Sequence, residues 1–178
     1  MDFGFGKTHE SFGKTGFCFG KPLEKAKILL GFEAYTDGET PNDIEGIRSI
    51  LENYIVCSFS YYDLTSEKDY QNVLTTLVAV LFDSYVVKSE VNGKKGRADI
   101  MVSPKRKGDL GMVIEVKYNA YPLSRSRLLY QAESAITKQV EAKDYYRELR
   151  QRERGKIILF GFAFDSGGNH QIATRVIG

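Results

Sequence analysis

Three short apolar runs between Ser84 and Tyr118 constrain the fold of this chain more than any other part of its sequence. A turn that opens with Asn92-Gly93 separates the first run from the second, and a basic turn separates the second run from the third. Asn-Gly between apolar runs is a strong signal of a hairpin. The sequence therefore predicts a three-stranded meander with strands at 84–91, 97–103 and 112–118.

The third strand carries charge where a core strand is expected to be apolar. Side chains alternate along a strand, so Glu115 and Lys117 point to the same side, and Asp99 stands near the start of the second strand. Burying a charge costs several kcal/mol, roughly, unless it is paired or holds a metal ion. This conflict predicts a functional site. The opposite face of the third strand is apolar, with Met112, Ile114 and Val116.

A helix is predicted before the meander, over Ser66–Phe82, with Ser66 as its N-cap residue. Glu67 lies on the apolar stripe of this helix, in the first turn, where an acid also interacts favourably with the helix dipole. A functional role and a purely structural role for Glu67 both remain open at this stage. The stripe itself has helical spacing and consists of Tyr70, Leu74, Leu77, Val78 and Leu81.

A long helix is predicted after the meander, over about Ser124–Arg150. Gln139 falls inside its inward stripe, where a polar group needs a buried partner or a site to serve. The stripe consists of Leu128, Ala132, Ala135, Ile136, Ala142, Tyr146 and Leu149. The other predicted elements are helices at 22–32 and 43–56, a strand buried on both faces at Ile157–Phe164, and an edge strand at Gln171–Ile177.

The length of 178 residues predicts one folded domain, here placed at 22–178, with a helical part over 22–65. Residues 1–21 precede it as a low-complexity segment rich in Gly, Phe and Lys. No run approaches the ~20 apolar residues that cross a bilayer, and no signal-peptide pattern is present. With only two cysteines, a reduced cytoplasmic compartment is expected.

Charge is distributed unevenly along the chain. Residues 1–90 carry 8 Lys/Arg against 14 Asp/Glu, whereas residues 91–178 carry 17 against 9. A basic half suits a polyanion such as nucleic acid, although a solvated basic face without a partner would give the same counts. The basic residues that flank the charged strands are Lys94, Lys95, Arg97, Lys105, Arg106 and Lys107.

Neighbouring strands would bring Asp99, Glu115 and Lys117 together. Two carboxylates suit a hard cation such as Mg²⁺, and the backbone carbonyl of Val116 could add another oxygen ligand. A lysine beside them could hold an attacking water or stabilise charge on a phosphate oxygen. The set therefore predicts metal-assisted hydrolysis of a phosphodiester, with an ordinary ion-pair cluster at a strand end as the alternative.

Asp99 followed by Glu115-Val116-Lys117 resembles the signature of the PD-(D/E)XK nuclease superfamily. More narrowly, the chain resembles the nuclease domain often found C-terminal to an AAA-ATPase-like domain in bacterial proteins. The segments that carry this resemblance are SYYDLTSEKDYQNVLTTL, Gly96-Arg97-Ala98-Asp99, VIEVK and KQVEAKDYY.

This resemblance implies an α/β, restriction-endonuclease-like core in which helix, three-stranded meander, helix and strand build a central mixed sheet flanked by helices. It implies a nuclease that uses Mg²⁺, with Mn²⁺ able to substitute, on DNA more than on RNA. A homodimer or a partner domain from another protein fits the family, and the lack of a long apolar run predicts no membrane partner.

The resemblance also assigns roles by position. Asp99, Glu115 and the Val116 carbonyl would hold the metal, Lys117 would be the catalytic lysine, and Gln139 would orient the site. The remaining assignments are Glu67 as an auxiliary acid in the metal shell, Glu90 as its possible substitute, and Tyr145 as an aromatic that accompanies Gln139. The chain departs from the family pattern at Ala98, which replaces the proline, and at Lys143, which takes the tyrosine place of RecB-like nucleases.

Two other functions stay open on sequence grounds. One is a nucleic-acid-binding module with the same fold and little or no catalysis, which the same basic residues would serve. The other is a protein-interaction domain, to which only the aromatic N-terminal segment and the acidic first half point.

Overall fold

The computed structural model describes residues 48, 51–52, 63–81, 85–93, 96–105, 110–147, 149–150 and 156–178. Residues 1–21, the helix expected at 22–32 and most of the helix expected at 43–56 lie outside these ranges. The described elements, in chain order, are helix α1 (Glu67–Leu81), strands β1 (Tyr85–Gly93), β2 (Gly96–Pro104) and β3 (Gly111–Asn119), helix α2 (Arg125–Ser134), a π-helical segment (Ala135–Glu141), and strands β4 (Ile157–Asp165) and β5 (His170–Ile177).

The five strands form one mixed sheet in the order β1-β2-β3-β4-β5. All neighbours are antiparallel except β3 and β4, which are parallel. A parallel pair requires a crossover connection, and α2 with the π-helical segment lies on that connection. The expected meander, the strand buried on both faces and the edge strand are all confirmed, with β1 and β2 paired as far as Gly93 and Gly96. The expected turn at 92–96 is therefore shorter than predicted.

Each face of the sheet packs against a helix. On one face, the apolar side of β3 and the large side chains of β4 meet the buried stripe of α1. The other face, which includes Val113, packs against α2 and the π-helical segment. The residues of α1 that enter the core are Tyr70, Leu74 and Val78, with Leu77 partly buried against it.

Ser66 caps α1 as predicted. Its hydroxyl accepts a hydrogen bond from the backbone amide of Asp69 (3.2 Å) and donates one to the Asp69 carboxylate (2.8 Å). The same carboxylate accepts from the backbone amide of Thr65 (3.1 Å). These bonds satisfy donors that the first turn of a helix leaves free, so they define where α1 begins.

The expected single helix over about Ser124–Arg150 is wrong beyond Ser134. From Ala135 the backbone widens into a π-helix, with bonds such as Ala142 N to Thr137 O (3.2 Å). Wider turns change which side chains face the sheet. Val140 and Tyr145 are consequently buried, whereas Ala142 is exposed and Tyr146 only half-buried.

Gly161 lets α2 lie directly on the sheet. A Cβ atom at this position would be 2.0 Å from the carbonyl oxygen of Ala132, which is closer than any real contact. Gly161 is also the register partner of Glu115 on β3. The glycine therefore sets how closely this helical layer approaches the charged strand.

No helix in the described part of the chain is long and apolar enough to cross a membrane.

Candidate active site

The site lies where β2 and β3 separate. Their register runs from Val102 opposite Met112 to Ile100 opposite Ile114 and stops there. One residue further along, the Asp99 side chain joins the two strands, because its Oδ2 accepts a hydrogen bond from the backbone amide of Val116 at 2.8 Å. A side-chain carboxylate thus replaces the next backbone link of the ladder and stands beside the Glu115 end of β3.

We call this place the fork: the point where β2 and β3 separate, edged by the Asp99 and Glu115 carboxylates and the Val116 carbonyl. The ammonium of Lys117 lies among the oxygen atoms of this fork. Its Nζ donates to the backbone oxygen of Val116 (2.6 Å) and lies 3.3 Å from Oε1 of Glu115. Glu67, at the start of α1, contributes a third oxygen at 3.3 Å. The expectation that Glu115 and Lys117 share one side of β3 is confirmed by this contact.

Gln139 reaches the same two charged groups from the π-helical segment. In the amide orientation that satisfies both neighbours, its side-chain nitrogen donates to Glu115 Oε1 (2.5 Å). Its oxygen then accepts from Lys117 Nζ at 3.3 Å. The structure therefore brings five of the residues singled out from the sequence into one place: Glu67, Asp99, Glu115, Lys117 and Gln139.

The two acids considered for the auxiliary position have different surroundings. Glu67 contacts Lys117, whereas Glu90 pairs with Lys68 (2.5 Å) and Arg97 (3.4 Å). The hydrogen bond that Glu90 accepts from Lys68 is the main reason that the pKa of Glu90 is lowered. Of the two, Glu67 is the acid that joins the Lys117 cluster.

Burial dominates the electrostatics of the two carboxylates. It raises the pKa of Glu115 from 4.5 to about 7, and the negative charge of Asp99 adds to the rise, whereas Lys117 opposes it. Burial also raises the pKa of Asp99, against the lowering effect of the hydrogen bond from Val116. One ammonium therefore does not fully compensate the two acids.

The ammonium itself stays charged. Burial lowers the pKa of Lys117, but the surrounding carboxylates outweigh burial and raise it above its ordinary value. Lys117 can therefore act as a positive charge at neutral pH.

The oxygen atoms present fit a hard cation. Oε2 of Glu115 is buried and has no hydrogen-bond partner, and the charge of Asp99 adds to burial in raising the pKa of Glu115, so a cation between the two carboxylates would stabilise both charges. Across the described ranges, no three His, Cys, Asp or Glu side chains form a group that could hold a metal ion by themselves. A carboxylate pair completed by a backbone carbonyl, water and substrate phosphate is the type of set that Mg²⁺ uses.

Two of the six expected basic residues, Arg97 and Lys105, lie in the described part of the chain, and they stand at different ends of β2. Arg97 is two positions from Asp99 and pairs with Glu90. Lys105 follows the opposite end of β2, about 20 Å from Asp99 at the usual rise of a strand. The remaining four, Lys94, Lys95, Arg106 and Lys107, lie outside the described residues.

Tyr145 packs against the beginning of β2. Its hydroxyl lies against the backbone of Gly96, where an added Cβ would come within 2.5 Å of the hydroxyl oxygen, and the φ of +149° at Gly96 also favours glycine. The Lys143 ammonium lies 5.5 Å from the centre of the Tyr145 ring. Tyr145 thus supports the start of β2.

One polar residue at the site escaped sequence analysis. Gln71 is only 5% exposed, and its Nε2 donates to the backbone oxygen of Asp99 at 2.9 Å. A signal existed, because Gln71 follows Glu67 by one helical turn and belongs to the same buried face as Leu74. A polar residue on such a face needs a partner, as the pattern at Gln139 also indicated.

A sequence model of the PD-(D/E)XK nuclease superfamily matches residues 65–172, which include α1, all three strands of the meander and the π-helical segment. The chain belongs to the PD-(D/E)XK nuclease superfamily. A comparison with curated proteins found no match. Membership of the superfamily confirms the resemblance inferred from the sequence, and the mixed sheet between helical layers confirms its restriction-endonuclease-like fold class. The narrower association with an AAA-ATPase-like domain stays a prediction.

Proposed function

We propose that this protein is a Mg²⁺-dependent nuclease that hydrolyses phosphodiester bonds in nucleic acid, DNA in preference to RNA, with Mn²⁺ able to substitute. The observation that carries the proposal is the fork between β2 and β3. There the carboxylates of Asp99 and Glu115 lie close enough for one charge to raise the pKa of the other, and Lys117 Nζ is 3.3 Å from Glu115. Superfamily membership supports a nucleic-acid substrate.

Each residue of the fork has a proposed role. The carboxylates of Asp99 and Glu115, the Val116 carbonyl and, as an auxiliary acid, Glu67 would hold the metal ion. When bound, Mg²⁺ supplies Lewis-acid activation of the attacking water and charge stabilisation at the phosphate. The Lys117 ammonium would stabilise negative charge that develops on a phosphate oxygen. Gln139 would fix the positions of Glu115 and Lys117, because its amide bonds to both.

The contacts with substrate are proposed from charge. Arg97 stands two positions before Asp99 in the sequence, with Lys94 and Lys95 just ahead of it, so these three would neutralise phosphates of the cleaved strand. Lys105 follows the opposite end of β2, and Arg106 and Lys107 come next in the sequence, so these three would contact the nucleic acid further from the cleaved bond. We also propose that the protein forms a homodimer or works with a partner domain from another protein. A cytoplasmic location is a further proposal, which rests on the presence of only two cysteines in the sequence.

The test is cleavage of plasmid, linear single-stranded DNA and RNA in Mg²⁺, in Mn²⁺ and in chelator. Wild type is compared with Asp99→Ala and Glu115→Gln, and with Asp144→Asn as a control, since Asp144 is an exposed acid outside the fork. Metal-dependent cleavage that both fork variants lose and the control keeps supports the proposal. Salt-dependent binding of nucleic acid without cleavage would replace it by the binding-module alternative, and cleavage retained in Asp99→Ala would move the site elsewhere.

A further inference from the structure

Asp99 belongs to neither of the two strand registers beside it. On the β1 side, Ser89 pairs with Ile100 and Val91 pairs with Ala98, and the intervening pair is missing from the register. On the β3 side the register ends at Ile100. The residue proposed to hold the metal therefore has no partner in either register.

The gap on the β1 side has a local cause. Glu90, which stands across from Asp99, has a φ of +55°, a left-handed conformation that is uncommon for a residue other than glycine. Its carboxylate is held by Lys68 and Arg97, so the ion pairs support this conformation. At this gap in the register, the Asp99 carbonyl accepts a hydrogen bond from Gln71 Nε2 at 2.9 Å.

Lys68 orients the Gln71 amide. Its Nζ lies 3.3 Å from Gln71 Oε1, which makes that atom the acceptor and turns the amide nitrogen toward Asp99. Gln71 is buried, so no solvent competes for the bond. The Gln71 amide then bonds to the backbone oxygen of Asp99, and the Val116 amide bonds to its carboxylate.

We infer that Gln71 is a positioning residue for the metal site, one that acts through the backbone of Asp99 without touching metal or substrate. This inference rests on the proposed function insofar as Asp99 holds a metal ion. Groups that orient metal ligands typically change metal affinity or activity by 10–100-fold when they are removed. A stabilising role in the core alone would leave metal affinity unchanged once the protein is folded.

The experiment compares wild type with Gln71→Met, which keeps the length of the side chain but cannot donate. Val78→Ala is the control, because Val78 is fully buried in α1 and lies about 10 Å further along the helix axis. Two quantities are measured: Mn²⁺ affinity by calorimetry, and hydrogen exchange of the Val116 amide in metal-free protein. We expect Mn²⁺ affinity to fall by about 10–100-fold in Gln71→Met only. We also expect the Val116 amide to exchange faster in that variant, because its acceptor is less well held.

The outcomes separate this inference from the proposed function. Unchanged Mn²⁺ affinity and unchanged Val116 exchange in Gln71→Met overturn the inference while leaving the nuclease proposal intact. If wild type binds no Mn²⁺ and cleaves nothing, the nuclease proposal fails, and Val116 exchange still decides whether Gln71 positions Asp99. Should Gln71→Met not fold, Gln71→Asn tests the same bond, because its amide is one methylene group shorter, with the same two outcomes.

Discussion

The carboxylate of Asp99 accepts a hydrogen bond of 2.8 Å from the backbone amide of Val116. This bond joins the two strands just beyond the point where their register ends. Because Val116 lies between Glu115 and Lys117, the bond also sets the distance of Asp99 from both charged side chains. The candidate site thus lies where two strands separate, and polar side chains line the edges of the gap.

Replacing Lys117 by methionine is expected to separate catalysis from metal binding. Cleavage should fall by about 10²–10³-fold, the usual loss when a group that stabilises developing charge is removed. Mn²⁺ affinity should not fall, since the ammonium contacts Glu115 and Val116 oxygen atoms that a metal ion would use. Single-turnover cleavage and calorimetry measure the two effects. Lys88→Met, at an exposed position of β1, is the control. Loss of Mn²⁺ binding by more than tenfold in Lys117→Met would contradict this picture.

Stability without metal is expected to fall as the pH rises from about 5 to 8. The pKa of Glu115 is raised from 4.5 to about 7 in the folded protein, so the native state binds a proton that the unfolded chain has already lost. The free energy of unfolding therefore decreases across this window, by on the order of 3 kcal/mol in total. Urea unfolding at several pH values measures this change. The dependence should flatten in Glu115→Gln, and an equally steep curve in that variant would assign it to another group.

Asp165 is expected to be a structural acid whose loss weakens the fold. It is fully buried, and its carboxylate accepts from the backbone amides of Leu123 (2.8 Å), Gly167 (2.9 Å) and Asn169 (3.0 Å). Burial raises the pKa of Asp165, but these hydrogen bonds outweigh burial and lower it overall. Asp165→Asn should cost at least about 2 kcal/mol in urea unfolding at pH 7, because an NH₂ group would face donors.

The sign of the pH effect at Asp165 provides a second check. A lowered folded pKa means that the carboxylate stabilises the protein above the unfolded value of 3.8 and loses this contribution as the pH falls through the folded value. The difference between wild type and Asp165→Asn should therefore shrink only in strong acid. Asp144→Asn is the control, since Asp144 is exposed and its φ of +55° is tolerated by asparagine. Equal stability of Asp165→Asn and wild type at pH 7 would refute the prediction.

Gly161→Ala is expected to push α2 away from the sheet. The new methyl group would lie 2.0 Å from the Ala132 carbonyl oxygen, so backbone must move, at a cost of about 1–3 kcal/mol or more. Thermal unfolding measures this loss. Gly111→Ala is a matched control on β3, because its nearest contact would be an ordinary 3.4 Å to the Leu149 side chain. Unfolding temperatures that fall equally in both variants would show that close approach is not the cause.

Local pattern predicted most of the elements on which the site is built. Ser66 begins α1 because its hydroxyl meets a free amide of the first turn, which is a relation within four residues of chain. The strands of the meander were predicted from alternation and turn residues in the same way. The long second helix was predicted incorrectly past Ser134, because the phase of a helix changes at π-turns that residue spacing does not reveal.

The sequence by itself determined that Glu115 and Lys117 share a face, since alternation along one strand allows nothing else. It also determined the residue types of the site: two acids, a lysine and a glutamine. Tertiary structure decided how they meet. The separation of β2 from β3 at Asp99, the approach of Glu67 and the hold of Gln71 on Asp99 all join residues far apart in the chain. Such contacts depend on how helices and strands pack, and periodicity within one element carries no information about them.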